Sequence, residues 1–556
     1  MKNVVDNSFY HQNLQGVKVL VLVPHQDDEI NVAGNTIKNF NDLGAEVHVC
    51  YSTNGDYVLP AEVRIGEAVA ALKILGCLKE NIHFLGYADS LNNNKQEHIF
   101  YSKEKVAVST SGNKETYAAL GYNDYSFQYQ GKHNLYNATC YHDDLKHLIL
   151  DIKADIILCV DLDKHADHRM LSLTFDDVMG EILQDEQNYH PKILKRFAYI
   201  FACYAAEDFY QLNLLSNKKP VIKQTKTYVQ NIIDTAYYKW DSRVRFPTIN
   251  GEYSAWIFNK TITKALLCHK SQTAIIYGEQ IINGDEVFFE RRTDSLSYFA
   301  KVETSSGNGK YLNDFKILGL NDIDSLYMHY ANYFWQPCKE DNDKTATFIW
   351  EQPQTISKIV IYGIDGGKGR IKKIRIIFDN GFTINFNKFS ANGLASEINI
   401  LPQINIKWCK LQIIDFDGDE YGISECEFYN DINKLDVLQP FVKIIINDDF
   451  AYDYIIDSDT VEIPIAVYKT DALLNTDFKI VYGNAEISNG VIKLLDGDKF
   501  ILRLECKDNH DIYDQIIIRR KSKLFIKYYK FTQFLESKIG RIIFRAMRKY
   551  EYLKSK

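Results

Sequence analysis

The feature that most constrains this chain is a short, almost uninterrupted apolar run, Val17-Lys18-Val19-Leu20-Val21-Leu22-Val23, which stops on Pro24-His25-Gln26-Asp27-Asp28-Glu29. β-Branched side chains are stiff and pack well on a pleated surface. Apolar residues at successive positions, rather than alternate ones, imply a strand buried on both faces, as in a parallel sheet covered by helices. The following segments fit that reading. A helix is expected over 35–43, stopped by Gly44, then a strand over 46–51 and a turn at Ser52-Thr53-Asn54-Gly55-Asp56. A second helix over 61–75 stops at Gly76, and a strand follows over 82–85. Further on, 144–152 reads as helix and 154–160 as another buried strand. The order β-α-β-α implies an α/β, Rossmann-like doubly wound parallel sheet over 1–304, whose ligands sit at the carboxyl ends of its strands.

Beyond this region the period changes. Thr347-Phe348-Ile349-Trp350, Ile359-Val360-Ile361-Tyr362, Ile374-Arg375-Ile376-Ile377-Phe378 and Leu411-Gln412-Ile413-Ile414 are short strand-like runs separated by turns such as Asp379-Asn380-Gly381. They indicate a β-sandwich over 305–434. A second sandwich, of immunoglobulin-like type, is expected over 435–520, with turns at Ser488-Asn489-Gly490 and Asp496-Gly497-Asp498. At 521–556 the apolar residues Leu524, Tyr528, Phe531, Leu535, Ile539, Ile542, Ala546 and Tyr550 recur at steps of three and four, the pattern of an amphipathic helix.

With 556 residues the chain exceeds what one hydrophobic core organises. Its N-terminus is polar where a signal peptide needs an apolar run, and no stretch is apolar for the roughly 18 residues of a spanning helix. Ten cysteines are scattered without a Cys-x-x-Cys pair, as expected of reduced thiols in a cytoplasmic protein. Charge is uneven. From Arg519 to Lys556 there are 13 Lys/Arg against Glu536 and Glu551, a balance of +11; the whole chain carries −8, so the rest carries −19. An acidic body argues against nucleic acid as a partner, while a basic amphipathic tail suits an anionic membrane surface. The competing reading docks that helix on its own protein or on a partner.

Two clusters carry the candidate chemistry. His25, Asp27 and Asp28 follow the first strand; Asp163-Lys164-His165-Ala166-Asp167-His168 follow the strand over 154–160. Both sit where a doubly wound sheet places its ligands, so they can converge. Imidazole and carboxylate suit zinc, and a catalytic zinc needs three protein ligands and an open position. The clusters offer more groups than that, leaving some for a base and for stabilising negative charge.

The pair Pro-His-x-Asp-Asp-Glu and His-x-Asp-His resembles the PIG-L/LmbE-like deacetylases, which remove acetyl groups from N-acetylglucosaminyl conjugates. Thr53-Asn54-Gly55-Asp56, Arg64-Ile65-Gly66-Glu67-Ala68, Phe84-Leu85-Gly86-Tyr87-Ala88-Asp89 and the segment from Lys264 to Gln272 are similar to further motifs of that family, in the same order. Gln26 departs from it, standing where proline is usual. The resemblance covers roughly residues 15–300. It implies one Zn2+ held by His25, Asp28 and His168, Asp27 as general base, and His165 as an imidazolium facing the oxyanion and assisting the leaving amine. Arg64 and Asp89 would contact the sugar, and Asp163 and Asp167 would orient the imidazoles. Glu29 and Glu67 are expected to brace helices, and His48 and His83 to be satisfied structural histidines.

Residues 308–432 resemble a discoidin-like, galactose-binding-type jelly roll, through Tyr333-Phe334-Trp335-Gln336-Pro337, Thr347-Phe348-Ile349-Trp350-Glu351-Gln352-Pro353 and Tyr421-Gly422-Ile423-Ser424-Glu425-Cys426-Glu427-Phe428. Trp335 and Trp350 are either glycan contacts or core. The first resemblance implies an N-deacetylase acting on an N-acetylhexosamine; the basic tail and the appended sandwich suggest a cell-surface glycan or glycolipid precursor as its substrate and a peripheral place on the inner face of a bacterial plasma membrane. Deacylation of a small-molecule glycoside, or glycan binding without catalysis, are the alternatives.

Overall fold

The computed structural model describes residues 14–89, 104–161, 165–198, 244–246, 261–272, 286–317, 319–320, 334–365, 369–390, 395–419, 421–431, 442–446, 453–469, 473–508 and 513–521, with isolated positions at 527, 542 and 546. Asp163 lies outside the described residues, as does all of 522–556 apart from those isolated positions, so the call of a tail helix falls outside them.

The first run forms β1 (Lys18–Val23), buried except at its first residue. It is followed by α1 (Asp28–Asp42), β2 (Glu46–Thr53), α2 (Ala61–Ile74), β3 (Ile82–Tyr87), α3 (Tyr125–Gln130), α4 (Ala138–Ile152), β4 (Ile156–Val160), α5 (Ala166–Asp185) and β5 (Lys192–Arg196). Then come β6 (Val244–Phe246), the short α6 (Thr261–Leu266) and β7 (Glu286–Arg291). These strands make one sheet in the order β3-β2-β1-β4-β5-β7-β6. The five strands β1 to β5 run parallel, β7 lies antiparallel to β5, and β6 forms the edge antiparallel to β7. From β1 the chain winds outward one way through β2 and β3, and from β4 the other way. The switch point therefore lies between β1 and β4, where a doubly wound sheet opens its ligand crevice.

α1 is broken at Ala33, whose φ of −147 and ψ of 23 are not helical, so the helix expected from Asn35 follows a separate acidic first turn that begins at Asp28 and suits the positive end of the helix dipole. α4 starts at Ala138 rather than Asp144, because the Asn137 side chain accepts the Cys140 N–H and caps it. His48 and His83 are satisfied as expected: His48 Nδ1 meets His83 Nε2 at 3.0 Å, and its Nε2 meets Glu46 Oε1 at 3.0 Å.

The jelly-roll region contains β8 (Lys301–Thr304), β9 (Gly319–Leu320), β10 (Thr345–Asp365), β11 (Gly369–Phe378), β12 (Thr383–Phe386), β13 (Ala395–Gly418) and β14 (Ile423–Tyr429). They pair in the order β12-β11-β13-β10-β14, with β8 and β9 also on β10. Trp335 and Trp350 are core, 0% and 3% exposed, with their indole N–H groups on the carbonyls of Ser306 and Leu296. β14 is buried along its whole length. Its Glu427 accepts from Arg291 of β7 at 2.8 Å, so the closing motif of the jelly roll is also its seam with the parallel sheet. The third region holds β15 (Val442–Ile446), β16 (Asp453–Ile456), β17 (Glu462–Lys469), β18 (Thr476–Ser488), β19 (Val491–Cys506) and β20 (Tyr513–Arg520). Their order is β15-β17-β19-β20-β16, with β18 on β19. Among the described residues all nine cysteines are free thiols, and no helix is long and apolar enough to cross a membrane.

Candidate metal centre

The loop after β1 is tied to the end of β2 before any site residue is placed. Thr53 donates its N–H and its hydroxyl to the Pro24 carbonyl at 3.0 and 2.8 Å, and Gln26 Nε2 donates to the Thr53 carbonyl at 2.8 Å. Gly55 lies beside these groups at φ +64, where a Cβ would run into Gln26 Oε1. Gln26, the departure from the family pattern, thus serves to lock this turn.

Asp27 forms the N-cap of α1, with φ 135 and ψ −22. That positive φ is rare for an L side chain. The Asp27 carbonyl accepts the Ile30 and Asn31 N–H groups, but its carboxylate makes no cap bond. It faces Arg64 instead, 3.5 Å from Nη2. Burial pushes the Asp27 carboxyl up to about 6, against the pull of Arg64. A carboxylate near neutrality is suited to taking a proton.

One position later, Asp28 Oδ2 stands 3.0 Å from His25 Nδ1 and 3.2 Å from His168 Nε2, and those two nitrogens are 3.3 Å apart. Ligands about 2.0–2.1 Å from a tetrahedral centre are about 3.3 Å from one another, so the triangle has the dimensions of a zinc face. Burial alone would raise the Asp28 carboxyl; the facing His168 and His25 outweigh it and hold the group well below the usual carboxylate range. His25, Asp28 and His168 are 5%, 1% and 0% exposed. Burying a carboxylate against two imidazoles is costly unless the charges are satisfied, which a bound cation would accomplish.

The other nitrogen of His25, Nε2, meets Asp167 Oδ2 at 3.1 Å and Asp89 Oδ1 at 3.5 Å. Asp167 therefore orients one of the clustered imidazoles, as a carboxylate behind a metal-binding histidine does. Two sets of three potential ligand atoms lie within 4.8 Å of one another, His25/His165/His168 and His25/Asp89/Asp167. The Asp28-containing triangle joins two imidazoles and one carboxylate at edges of 3.0–3.3 Å, a donor set suited to zinc.

Two sequence expectations change. His165 caps α5, its Nδ1 accepting the Asp167 N–H at 3.3 Å. Burial, helped by His25 and His168, pushes its pKa down to about 4. The ring is thus neutral with its proton on Nε2, rather than the imidazolium expected. Arg64 is only 6% exposed and donates to the Gln26 carbonyl at 2.5 Å, so it is turned inward rather than open to a sugar. Asp89 borders the same site: its amide donates to Asp56 Oδ1 at 3.0 Å, and its buried Oδ1 faces His25 Nε2 at 3.5 Å.

Glu67 braces as expected, accepting the Ser271 N–H and hydroxyl at 2.8 and 2.6 Å. What sequence reasoning missed is His269, whose Nε2 meets Glu29 Oε1 at 2.6 Å next to the site. Its only signal was its place inside the segment from Lys264 to Gln272.

Residues 20–179 match the family model described as PIG-L: GlcNAc-PI de-N-acetylase. Residues 298–429 match a domain of unknown function, DUF7402. A probable N-acetylglucosaminyl-phosphatidylinositol de-N-acetylase from Dictyostelium discoideum is 32% identical over 93 residues, 17% of this chain. The chain spans about a third (34%) of the length of that curated relative. Among solved structures, the N,N'-diacetylchitobiose deacetylase of Pyrococcus horikoshii is 20% identical, covering 33% of this chain and 56% of its own, with a TM-score of 0.21. The family 32 CBM from C. perfringens NanJ in complex with galactose is 17% identical, covering 24% and 96%, with a TM-score of 0.19.

Proposed function

We propose that this protein is a zinc-dependent N-deacetylase that hydrolyses the acetamide of an N-acetylhexosamine in a cell-surface glycan or glycolipid precursor. The observation that carries the reading is the His25–Asp28–His168 triangle, with edges of 3.0–3.3 Å, beside a carboxylate on Asp27 that burial holds near neutrality. The PIG-L match over 20–179 supports the same chemistry. A zinc ion held by His25, Asp28 and His168 supplies Lewis acidity towards the acetyl carbonyl and its attacking water.

The protein's own groups perform the proton work. Asp27 removes a proton from water as its oxygen adds to the acetyl carbon. Neutral His165 offers Nε2–H to the oxygen on which negative charge collects, a fixed donor in a site poor in water. The C–N bond then breaks, the amine takes the proton held by Asp27, and acetic acid leaves and gives its remaining proton to solvent as acetate. Asp89 offers a sugar hydroxyl the carboxylate oxygen that does not face His25.

The basic tail at 521–556 would hold this site at an anionic membrane surface, a reading supported by the +11 balance from Arg519 to Lys556 on an acidic body. Acetate release from N-acetylglucosaminyl glycans and conjugates, measured with the zinc-loaded and zinc-stripped full chain, tests the activity. Release by the loaded form alone is expected; no release from any such substrate overturns the proposal.

A further inference from the structure

The peptide group joining Gln26 to Asp27 is held at both edges. Its carbonyl accepts Arg64 Nη2 at 2.5 Å, and its N–H donates to Glu29 Oε2 at 2.9 Å. The other oxygen of Glu29 accepts His269 Nε2 at 2.6 Å across 240 positions of sequence. Glu29 is 0% exposed and His269 is 1%. A glutamate in the first turn commonly reaches back to the N-cap amide. That role is ordinarily filled at a helix end in contact with water and needs no second partner. Here the carboxylate has been taken out of water and given an imidazole from the segment after α6 (Thr261–Leu266), while the amide it holds belongs to a residue at φ 135.

We propose that Glu29 and His269 are positioning residues that keep Asp27 in this rare backbone conformation and so aim its carboxylate at the reacting water; the reaction part of this inference rests on the deacetylase reading above. His269 donates its Nε2 proton to Oε1, which fixes the Glu29 rotamer and leaves Oε2 for the Asp27 amide. Arg64 clamps the same peptide from the carbonyl side and limits the Asp27 carboxylate from 3.5 Å. Removing His269 frees the Glu29 side chain, and the Asp27 peptide loses one of its two restraints without losing a metal-binding atom.

The test compares the zinc-loaded full chain with His269→Ala, His269→Gln and Glu29→Gln. Three quantities are read: kcat and KM for an N-acetylglucosaminyl conjugate, zinc per chain, and hydrogen exchange of the peptide spanning Gln26 and Asp27. His269→Ala is expected to lower kcat about 10- to 100-fold, the range for groups that orient a metal site from behind it. KM and zinc per chain should stay unchanged while exchange at the Asp27 amide accelerates. His269→Gln, whose amide can still donate to Glu29, should recover most of kcat and of the protection. Glu29→Gln, with one acceptor oxygen for two donors, should fall between them. Unchanged kcat and exchange in His269→Ala overturn the proposal, as does equal loss of zinc and activity in the Ala and Gln variants. If the wild type releases no acetate, the deacetylase reading falls, while faster exchange in His269→Ala still supports the clamp.

Discussion

Nε2 of His168 stands 3.3 Å from Nδ1 of His25 although 143 positions separate the two residues, and Asp28 closes the triangle from within hydrogen-bonding reach of both. Two strand ends on either side of the sheet's switch point make that meeting possible.

Removing one corner of the triangle should empty it. His168→Ala is expected to retain well under one zinc per chain after dialysis, measured by elemental analysis. The wild type should instead gain thermal stability on zinc addition. At free zinc a thousandfold above Kd the increment is about 4 kcal/mol, because only the folded state assembles the ligands. Full zinc retention by His168→Ala would remove it from the ligand set.

Asp27 lies next to the triangle but outside it. Asp27→Asn should lower kcat by about 10²–10⁴-fold, the usual contribution of a positioned base, while zinc per chain and KM change little. Equal loss of metal would instead assign Asp27 to coordination.

The pH profile has a definite sign. Asp27 must be ionised to accept a proton, and burial raises its pKa to about 6. Activity should therefore fall as pH drops through 6 and level off above it, with bound cation moving the limb to lower pH, never higher. An acid limb absent down to pH 4 in zinc-loaded protein would dissociate the base from Asp27.

The seam between the parallel sheet and the jelly roll rests on Arg291 and Glu427, 2.8 Å apart with side chains 2% and 1% exposed. Arg291→Met leaves a buried carboxylate uncompensated and should cost about 3–5 kcal/mol, seen as an earlier first transition in chemical unfolding. A variant that removes both charges together should recover part of the loss.

Deleting 521–556 should abolish co-sedimentation with vesicles containing anionic lipid and leave acetate release from a soluble substrate intact. Equal sedimentation with and without the tail would end the membrane reading.

What was legible in the sequence was what depends on nearest neighbours along the chain. The β-branched run at β1, the period-2 strands of the sandwiches and the two His/Asp clusters all announce themselves locally. The local pattern was less reliable at helix starts, because α4 begins on the Asn137 cap and a separate acidic turn precedes the break of α1 at Ala33, neither set by apolar spacing. The site's finer assignments were not local at all. That His165 is neutral follows from burial among imidazoles and from capping α5; that Arg64 points inward follows from the Gln26 carbonyl opposite it; and His269 enters only because α6 lies against α1 and α2. The sequence by itself determined the layered α/β body, the β-rich remainder and the residue types available for chemistry, since propensity and hydrophobic period act over a few residues. Only the tertiary structure decided which nitrogen faces which oxygen and which groups are denied water, because protonation and direction are set by groups brought together from distant parts of the chain.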